Sequence, residues 1–110
     1  MCWMKVLLDE NISQTLKIDF DKHVAKTIEE MGWSGKKNGE LLQLITTYRF
    51  DVLLTTDKNL KYQQSIKKFP VTIFLLAAHN NRDETIQPLI NITRKKLNGK
   101  INKGIFEISI

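Results

Sequence analysis

Cysteine and histidine are scarce in this 110-residue chain, which has one cysteine and two histidines. The single cysteine, Cys2, excludes an internal disulfide and a zinc site made of several cysteines. His23 and His79 lie far apart, and neither has a metal-ligating neighbour at a suitable spacing. Ser13 and Ser34 lack the surrounding residues of a serine-hydrolase nucleophile, which argues against that enzyme class.

Long apolar runs are also absent from the sequence. No run approaches the roughly 20 residues that a membrane-spanning helix needs, so no membrane partner is expected. The first residues lack the charged and then apolar pattern of a secretory signal peptide. Together with the scarcity of cysteine, this predicts a protein of the reducing cytoplasm.

The remaining composition is that of an ordinary globular domain. Hydrophobic residues make up 42% of the chain, which fits one domain with one core over residues 1–110. The net charge of +5 is uneven, because residues 1–55 carry seven Lys/Arg and eight Asp/Glu whereas residues 56–110 carry ten and four. This asymmetry suits a polyanionic substrate handled through metal ions, and a lysine-rich surface that aids solubility explains it equally well.

Short apolar runs alternate with segments of helical periodicity. The predicted strands are 5–8, 23–28, 52–54, 71–78 and 105–110, and the predicted helices are 14–18, 38–49, 58–66 and 85–97. A helix that extends through residues 29–31 is the alternative to the second predicted strand. The alternation predicts an α/β domain with a mainly parallel sheet of about five strands and helices on both faces. Residues 105–110 alternate strictly and are expected at a sheet edge.

The stretch at 50–60 is the one around which the sequence is organised. Its apolar residues 52–54 are typical of a strand buried on both faces, and two threonines and Asp57 follow directly. The first predicted strand ends in the same way, because Asp9 and Glu10 follow it. Open α/β sheets have their ligand crevice at the carboxyl ends of the strands. We therefore expect Asp9 and Asp57 to lie close together at one edge of the sheet.

Four carboxylates from three parts of the chain form the predicted site, namely Asp9, Glu10, Glu40 and Asp57. Mg²⁺ and Mn²⁺ prefer carboxylate oxygens and water as ligands, and two such ions about 3.5–4 Å apart can activate a water for phosphodiester cleavage. Glu40 is also expected in the first turn of a helix, where the helix dipole favours an anion. We predict metal-binding roles for all four acids and catalytic roles for Asp9, Asp57 and Glu40.

Polar neighbours of these acids are predicted to orient metal-bound water or a phosphate: Asn11, Asn38, Thr56 and Asn59. Asp and Asn after a strand are also common turn and helix-capping residues. Each of these residues taken singly therefore has a structural explanation, and the set as a whole carries the prediction. Trp33, in the glycine-rich stretch at 32–39, can stack on a base, and packing over the core is the alternative.

Five basic residues are predicted to contact nucleic-acid phosphates: Lys58, Arg82, Arg94, Lys95 and Lys96. The dipole of a helix favours cations near its C-terminus. A solvated helix end therefore explains part of the run at 94–96 without any ligand.

Three blocks of the sequence resemble the small PIN-like proteins, which are described as predicted nucleases and possible toxin components of toxin–antitoxin pairs. The match covers most of the chain, in the order Val6–Asn11, Gly32–Leu42 and Phe50–Gln64. The resemblance implies a PIN-like three-layer α/β/α sandwich and divalent-metal-dependent cleavage of RNA, with an antitoxin protein as a further partner. It also implies that Asp9 and Asp57 are metal-binding acids and that Glu40 lies in the block supplying another.

The sequence departs from that family at two positions. Asn38 occupies the place where many PIN-like relatives have an aspartate, and Asn59 replaces the second acid of the family's Asp-x-Asp pattern. An amide oxygen coordinates a cation without supplying charge, so a catalytically degenerate PIN-like binding module is an alternative. A receiver-like phosphoacceptor domain is a third hypothesis, because Asp9–Glu10 suggests an acidic Mg²⁺ pocket. That hypothesis lacks the lysine that such a domain needs after the strand at 71–78. A homo-oligomer stays open.

Overall fold

The computed structural model of the chain describes residues 4–10, 12, 24–36, 38–56, 71–78, 80, 82–97 and 104–109. The elements in chain order are β1 (Lys5–Leu8), β2 (Val24–Thr27), α1 (Asn38–Thr47), β3 (Val52–Thr55), β4 (Thr72–Leu76), α2 (Asp83–Leu97) and β5 (Gly104–Ile108). The predicted helices at 14–18 and 58–66 lie outside the described residues. The alternation of strands and helices confirms the predicted α/β class, and β2 confirms a strand rather than a helix at 24–27.

All five described strands run parallel, in the order β2-β1-β3-β4-β5. The chain leaves β1 to form β2 on one side and then returns to form β3 on the other side of β1. The winding of the sheet therefore reverses between β1 and β3, and doubly wound sheets bind ligands outside the carboxyl ends of the strands at such a point. We call this edge the carboxyl rim, and its described residues are Asp9–Glu10, Ile28, Thr55–Thr56 and Ala77–Ala78.

Alternate residues of the central strands pack against the two described helices on opposite faces of the sheet. Leu7 of β1 belongs to one buried cluster with Ile45 of α1. Leu8 and Leu54 belong to the other cluster, with Ile90 of α2. Each fully buried side chain of this size stabilises the fold by about 1.5–3 kcal/mol. Burial on both faces explains why β1 and β3 are continuously apolar instead of alternating with polar residues.

The helix α1 follows the predicted apolar stripe. The spacing of Leu41, Leu42, Leu44 and Ile45 predicts one apolar face. Leu41, Leu42 and Ile45 are buried and Leu44 is partly buried, which confirms that face. The helix ends with the Phe50 N–H donating to the Ile45 carbonyl at 2.9 Å, while Arg49 adopts a φ of 60°. This is the geometry of a Schellman termination, in which a left-handed residue reverses the chain after the last helical turn. The predicted end at residues 48–49 is confirmed.

The helix α2 begins two residues earlier than the predicted start at 85. Pro88 lies near the first turn of the helix predicted at 85–97, but it is the sixth residue of the observed helix, which starts at Asp83. It therefore lies beyond the first four residues, whose N–H groups have no helical partner in any case. Having no N–H, Pro88 cannot donate the helical hydrogen bond to the carbonyl of Glu84. The buried side chains of Ile86 and Leu89 hold this part of the helix against the sheet.

The strand β5 lies at the edge of the described sheet, next to β4, as its alternating sequence predicts. It begins at Gly104, whose φ of +132° is accessible to glycine and rare for other residues. Ile108 is buried, whereas Phe106 is 39% exposed and its ring lies 6.1 Å from that of Phe74.

Candidate functional site

Asp9 lies at the carboxyl rim, where β1 and β3 are neighbours. Its N–H donates to the Leu54 carbonyl at 2.9 Å, which extends the β1–β3 pairing by one residue and fixes the Asp9 backbone. The Thr55 hydroxyl donates to Asp9 Oδ2 at 2.7 Å, and the Glu10 N–H donates to Asp9 Oδ1 at 2.8 Å. Both oxygens of this half-buried carboxylate are therefore oriented. Because an ionised carboxylate has about four acceptor positions, such bonds are compatible with a cation on the same group.

Thr55 is a site residue that the sequence did not single out. It is the last residue of β3, it is 1% exposed, and its hydroxyl is the donor to Asp9. The only sequence signal for Thr55 was a polar β-branched residue at the end of an apolar strand. Such a residue is common at strand ends whether or not there is a functional site. Thr56, which was predicted to support the site, follows it at the rim and is half-buried.

Glu10 contacts a different part of the chain from Asp9. Its Oε1 accepts a hydrogen bond of 2.9 Å from the N–H of Gly35. Gly35 belongs to the segment between β2 and α1, and we call residues 28–36 the glycine loop. Glu10, the residue after Asp9, therefore connects the carboxyl rim with the glycine loop that leads into α1.

The glycine loop is also fixed at two other places. At its start, the Thr27 N–H donates to Glu30 Oε1 at 2.9 Å, and the Glu30 N–H donates back to Thr27 Oγ1 at 3.1 Å. In its middle, Trp33 is 7% exposed and contacts Tyr48 and Phe50, with ring centroids 5.2 and 5.8 Å away. Trp33 therefore packs over the core, and the structure supports this alternative over base stacking.

Glu40 lies in the first turn of α1 and points towards solvent. Its side chain is 61% exposed, and Oε2 lies 3.8 Å from Lys36 Nζ. We predicted either a ligand in the pocket or an outward first-turn charge, and the exposure and the lysine contact favour the outward position. Asn38 is the first residue of α1, and its side chain lies outside the description. The hydrogen bond from Gly35 to Glu10, three residues before Asn38, brings the start of α1 near the carboxyl rim.

Four other predicted site residues lie outside the described residues: Asn11, Asp57, Lys58 and Asn59. The proximity of Asp9 and Asp57 therefore stays a prediction. What the structure does describe is the strand that precedes Asp57, and this strand pairs with β1 at Leu8 and Leu54.

The predicted phosphate-binding residues are divided between two ends of α2. Arg82 precedes the helix near the carboxyl rim, is 75% exposed, and has its Nη1 3.6 Å from Glu84 Oε1. Arg94, Lys95 and Lys96 lie in the last turn, about 20 Å further along the helix axis. Because α2 returns across the sheet towards the start of β5, these three residues lie at the opposite edge from Asp9. The structure does not bring them together with the carboxylates.

The Asp9 carboxylate at the carboxyl rim is a suitable ligand for a hard divalent cation, but the described residues do not by themselves form a metal site. Asp9 offers oriented carboxylate oxygens of the kind that Mg²⁺ and Mn²⁺ prefer. Among the described residues, no group of three or more His, Cys, Asp or Glu side chains is arranged to hold a metal ion. A complete metal site would need ligands from outside these residues, such as Asp57.

Comparisons of the chain with models of protein families, with curated proteins and with solved structures give no match. The resemblance to PIN-like proteins therefore stays a prediction, and so do the nuclease and toxin roles that it implies. Within the described part of the chain, neither helix has the length and apolar character needed to cross a membrane.

Proposed function

We propose that the chain is a divalent-metal-dependent endoribonuclease of the PIN-like type, acting in the cytoplasm as the toxin of a toxin–antitoxin pair. The observation that carries the proposal is the position of Asp9 at the switch point between β1 and β3. There its carboxylate is oriented by the Thr55 hydroxyl at 2.7 Å and the Glu10 N–H at 2.8 Å. An oriented acid in the expected ligand crevice is what a metal-dependent reaction requires.

Covalent geometry supports Asp57 as the second acid. Asp57 follows Thr55 by two residues, so the two Cα atoms are at most about 7 Å apart. Since the Thr55 hydroxyl contacts Asp9, this short separation along the chain supports Asp57 as the second acid. In this proposal Asp9 and Asp57 would hold Mg²⁺ or Mn²⁺, and the ion would supply activation of a water and stabilisation of the leaving oxygen.

The residues of this chain then have separate tasks. Asp9 and Asp57 bind the cation, and Thr55 fixes the direction of the Asp9 carboxylate. Arg82 follows the rim residue Ala78 by four residues, and it is exposed for contact with an RNA phosphate. With few acids at the rim, metal affinity is expected to be modest and cleavage slow, requiring millimolar Mg²⁺ or, preferably, Mn²⁺.

A catalytically degenerate PIN-like binding module is the second candidate, and the position of Glu40 favours it. An acid that is 61% exposed and paired with Lys36 adds little to a pocket. In that case the protein would bind RNA or a protein partner without cleaving it. The receiver-like hypothesis is compatible with the same rim, but the lysine it needs after β4 is missing.

The test is a cleavage assay with purified protein, single-stranded RNA and Mn²⁺, run beside Asp57→Asn. This substitution should remove the activity and leave the fold intact, because carboxylates close together repel each other without a metal. Asp51→Asn is the matched control, since Asp51 accepts a 2.9 Å hydrogen bond from the Lys5 N–H at the far end of β1 and asparagine still can.

Loss of cleavage in Asp57→Asn but not in Asp51→Asn supports the proposal. Equal cleavage by the wild type and Asp57→Asn would indicate a contaminant or another site. If neither protein cleaves RNA and calorimetry detects no Mn²⁺ binding, the degenerate module is the better account.

A further inference from the structure

Glu10 was predicted as a metal ligand, but its carboxylate already has a structural partner. Oε1 of Glu10 accepts the Gly35 N–H at 2.9 Å, and the Glu10 N–H donates to Asp9 Oδ1 at 2.8 Å. One residue therefore hydrogen-bonds both to the acid at the carboxyl rim and to the glycine loop, 25 residues further along the chain. As for Asp9, hydrogen bonding leaves acceptor positions for a cation, so this contact gives Glu10 a positioning role and the experiment below separates that role from a ligand role.

The backbone conformation at Gly35 directs this N–H towards Glu10. Gly35 has a φ of +81°, a conformation that L-residues rarely adopt. An added Cβ would meet nothing within 4 Å, so the backbone angle rather than space calls for glycine at this position. The left-handed turn at Gly35 comes three residues before α1 begins at Asn38.

Two attachments of the glycine loop lie before Gly35. The reciprocal Thr27–Glu30 hydrogen bonds fix its first residues, and Trp33 holds its middle against Tyr48 and Phe50. After Gly35, the Lys36 N–H donates to the Trp33 carbonyl at 3.2 Å and Lys36 Nζ lies 3.8 Å from Glu40 Oε2, so these contacts stay within the loop and α1. The Glu10 contact is the described hydrogen bond that joins this end of the loop to the residues around Asp9. Without it, the segment between Trp33 and α1 loses its described connection to the residues around Asp9.

We propose that Glu10 is a positioning residue: its carboxylate holds the end of the glycine loop, and with it the first turn of α1, beside Asp9, and it is not a metal ligand. The part that concerns Asp9 as a metal-binding acid rests on the proposed function. The hydrogen bond to the glycine loop stands independently of any metal.

The chemistry of the two roles differs in one respect that can be tested. A hydrogen bond from Gly35 needs an acceptor oxygen, which the amide of glutamine also provides. A ligand for Mg²⁺ or Mn²⁺ gains much of its affinity from negative charge, which glutamine lacks. If Glu10 is a positioning residue, Glu10→Gln preserves its function; if Glu10 is a metal ligand, Glu10→Gln weakens metal binding. Glu10→Ala removes both the acceptor oxygen and the charge.

The experiment compares the wild type with Glu10→Gln and Glu10→Ala by three measurements. Amide hydrogen exchange at Gly35, followed by NMR, reports on the hydrogen bond, and calorimetry with Mn²⁺ reports on metal binding. Single-turnover RNA cleavage reports on catalysis, and circular dichroism verifies the fold of each variant. We expect Glu10→Ala to accelerate exchange at Gly35 by about tenfold and to reduce the cleavage rate. Glu10→Gln should keep the wild-type exchange rate at Gly35 and the wild-type cleavage rate. Its Mn²⁺ affinity should stay within about twofold of that of the wild type.

Two results would overturn the proposal. Unchanged Gly35 exchange in Glu10→Ala would mean that the hydrogen bond does not hold the glycine loop. A loss of Mn²⁺ affinity of about tenfold or more in Glu10→Gln, with normal Gly35 exchange, would make Glu10 a ligand. If the wild type itself binds no Mn²⁺, the proposed function fails, and the exchange result alone then decides whether Glu10 positions the glycine loop.

Discussion

The hydrogen bond between Thr55 and Asp9 can be tested by replacing Thr55 with valine. Thr55 is 1% exposed, and its hydroxyl donates to Asp9 Oδ2 at 2.7 Å. Valine has nearly the same shape as threonine, so Thr55→Val removes the donor while the packing of β3 is kept. Thr55→Ser is the matched control, because serine keeps the hydroxyl and loses only a methyl group.

The expected magnitude follows from the charge of the acceptor. A hydrogen bond to a charged group contributes about 1.5–3 kcal/mol to stability, and a buried methyl group in place of the hydroxyl returns up to about 0.8 kcal/mol. Thr55→Val should therefore lower the free energy of unfolding by about 1–2 kcal/mol. Thr55→Ser loses the burial of one methyl group, about 0.8 kcal/mol, so stability alone does not separate the two variants.

A double-mutant cycle with Asp9→Ala separates them. Urea unfolding followed by circular dichroism gives the free energy of unfolding of each single and double variant. In the Asp9→Ala background Thr55→Val should cost nothing or stabilise the protein by up to about 0.8 kcal/mol, which corresponds to a coupling energy of about 1.5–3 kcal/mol, whereas Thr55→Ser should keep its cost. The same cost of Thr55→Val in both backgrounds would refute the reasoning. In Mn²⁺ titrations, Thr55→Val should weaken binding by about tenfold or more, and Thr55→Ser should not.

Two further predictions concern the glycine loop and the start of α1. Trp33→Ala should lower the free energy of unfolding by about 3–5 kcal/mol, because Trp33 is 7% exposed and contacts Tyr48 and Phe50; a cost below about 1 kcal/mol in urea unfolding would contradict its core position. Glu40→Gln should change stability by less than about 1 kcal/mol, because its pair with Lys36 is exposed. It should also leave Mn²⁺ affinity unchanged in calorimetry, and a marked loss of affinity would restore Glu40 as a ligand.

The features that the sequence predicted well are those that backbone topology determines. In a parallel sheet all strands end at one edge, so an acid that follows an apolar strand is placed there whatever its side chain does. This is why Asp9 lies at the carboxyl rim and why the start of α1 reaches the same rim. The apolar stripe at Leu41, Leu42 and Ile45 was equally predictable, because helical spacing alone selects the buried face.

The features that were missed depend on side-chain directions in loops. Glu10 and Glu40 both lie near the carboxyl rim, yet one contacts Gly35 and the other Lys36. Residue type and spacing do not distinguish these partners from a shared cation, because a carboxylate accepts hydrogen bonds and binds metals with the same oxygens. Thr55 was missed for a related reason, since a threonine that ends a strand is common with or without an acid to orient.

The position of the basic residues bears on how RNA would approach. Arg94, Lys95 and Lys96 give the last turn of α2 a high positive charge, but that turn lies at the opposite edge of the sheet from Asp9. Their charge can attract a polyanion over a Debye length of about 8 Å at physiological ionic strength, which is shorter than the helix that separates them from the carboxyl rim. In the proposed function these three residues would therefore hold a distant part of the RNA, or an acidic partner protein. Contact with the phosphate at the reacting bond would instead fall to groups nearer the rim, such as Arg82.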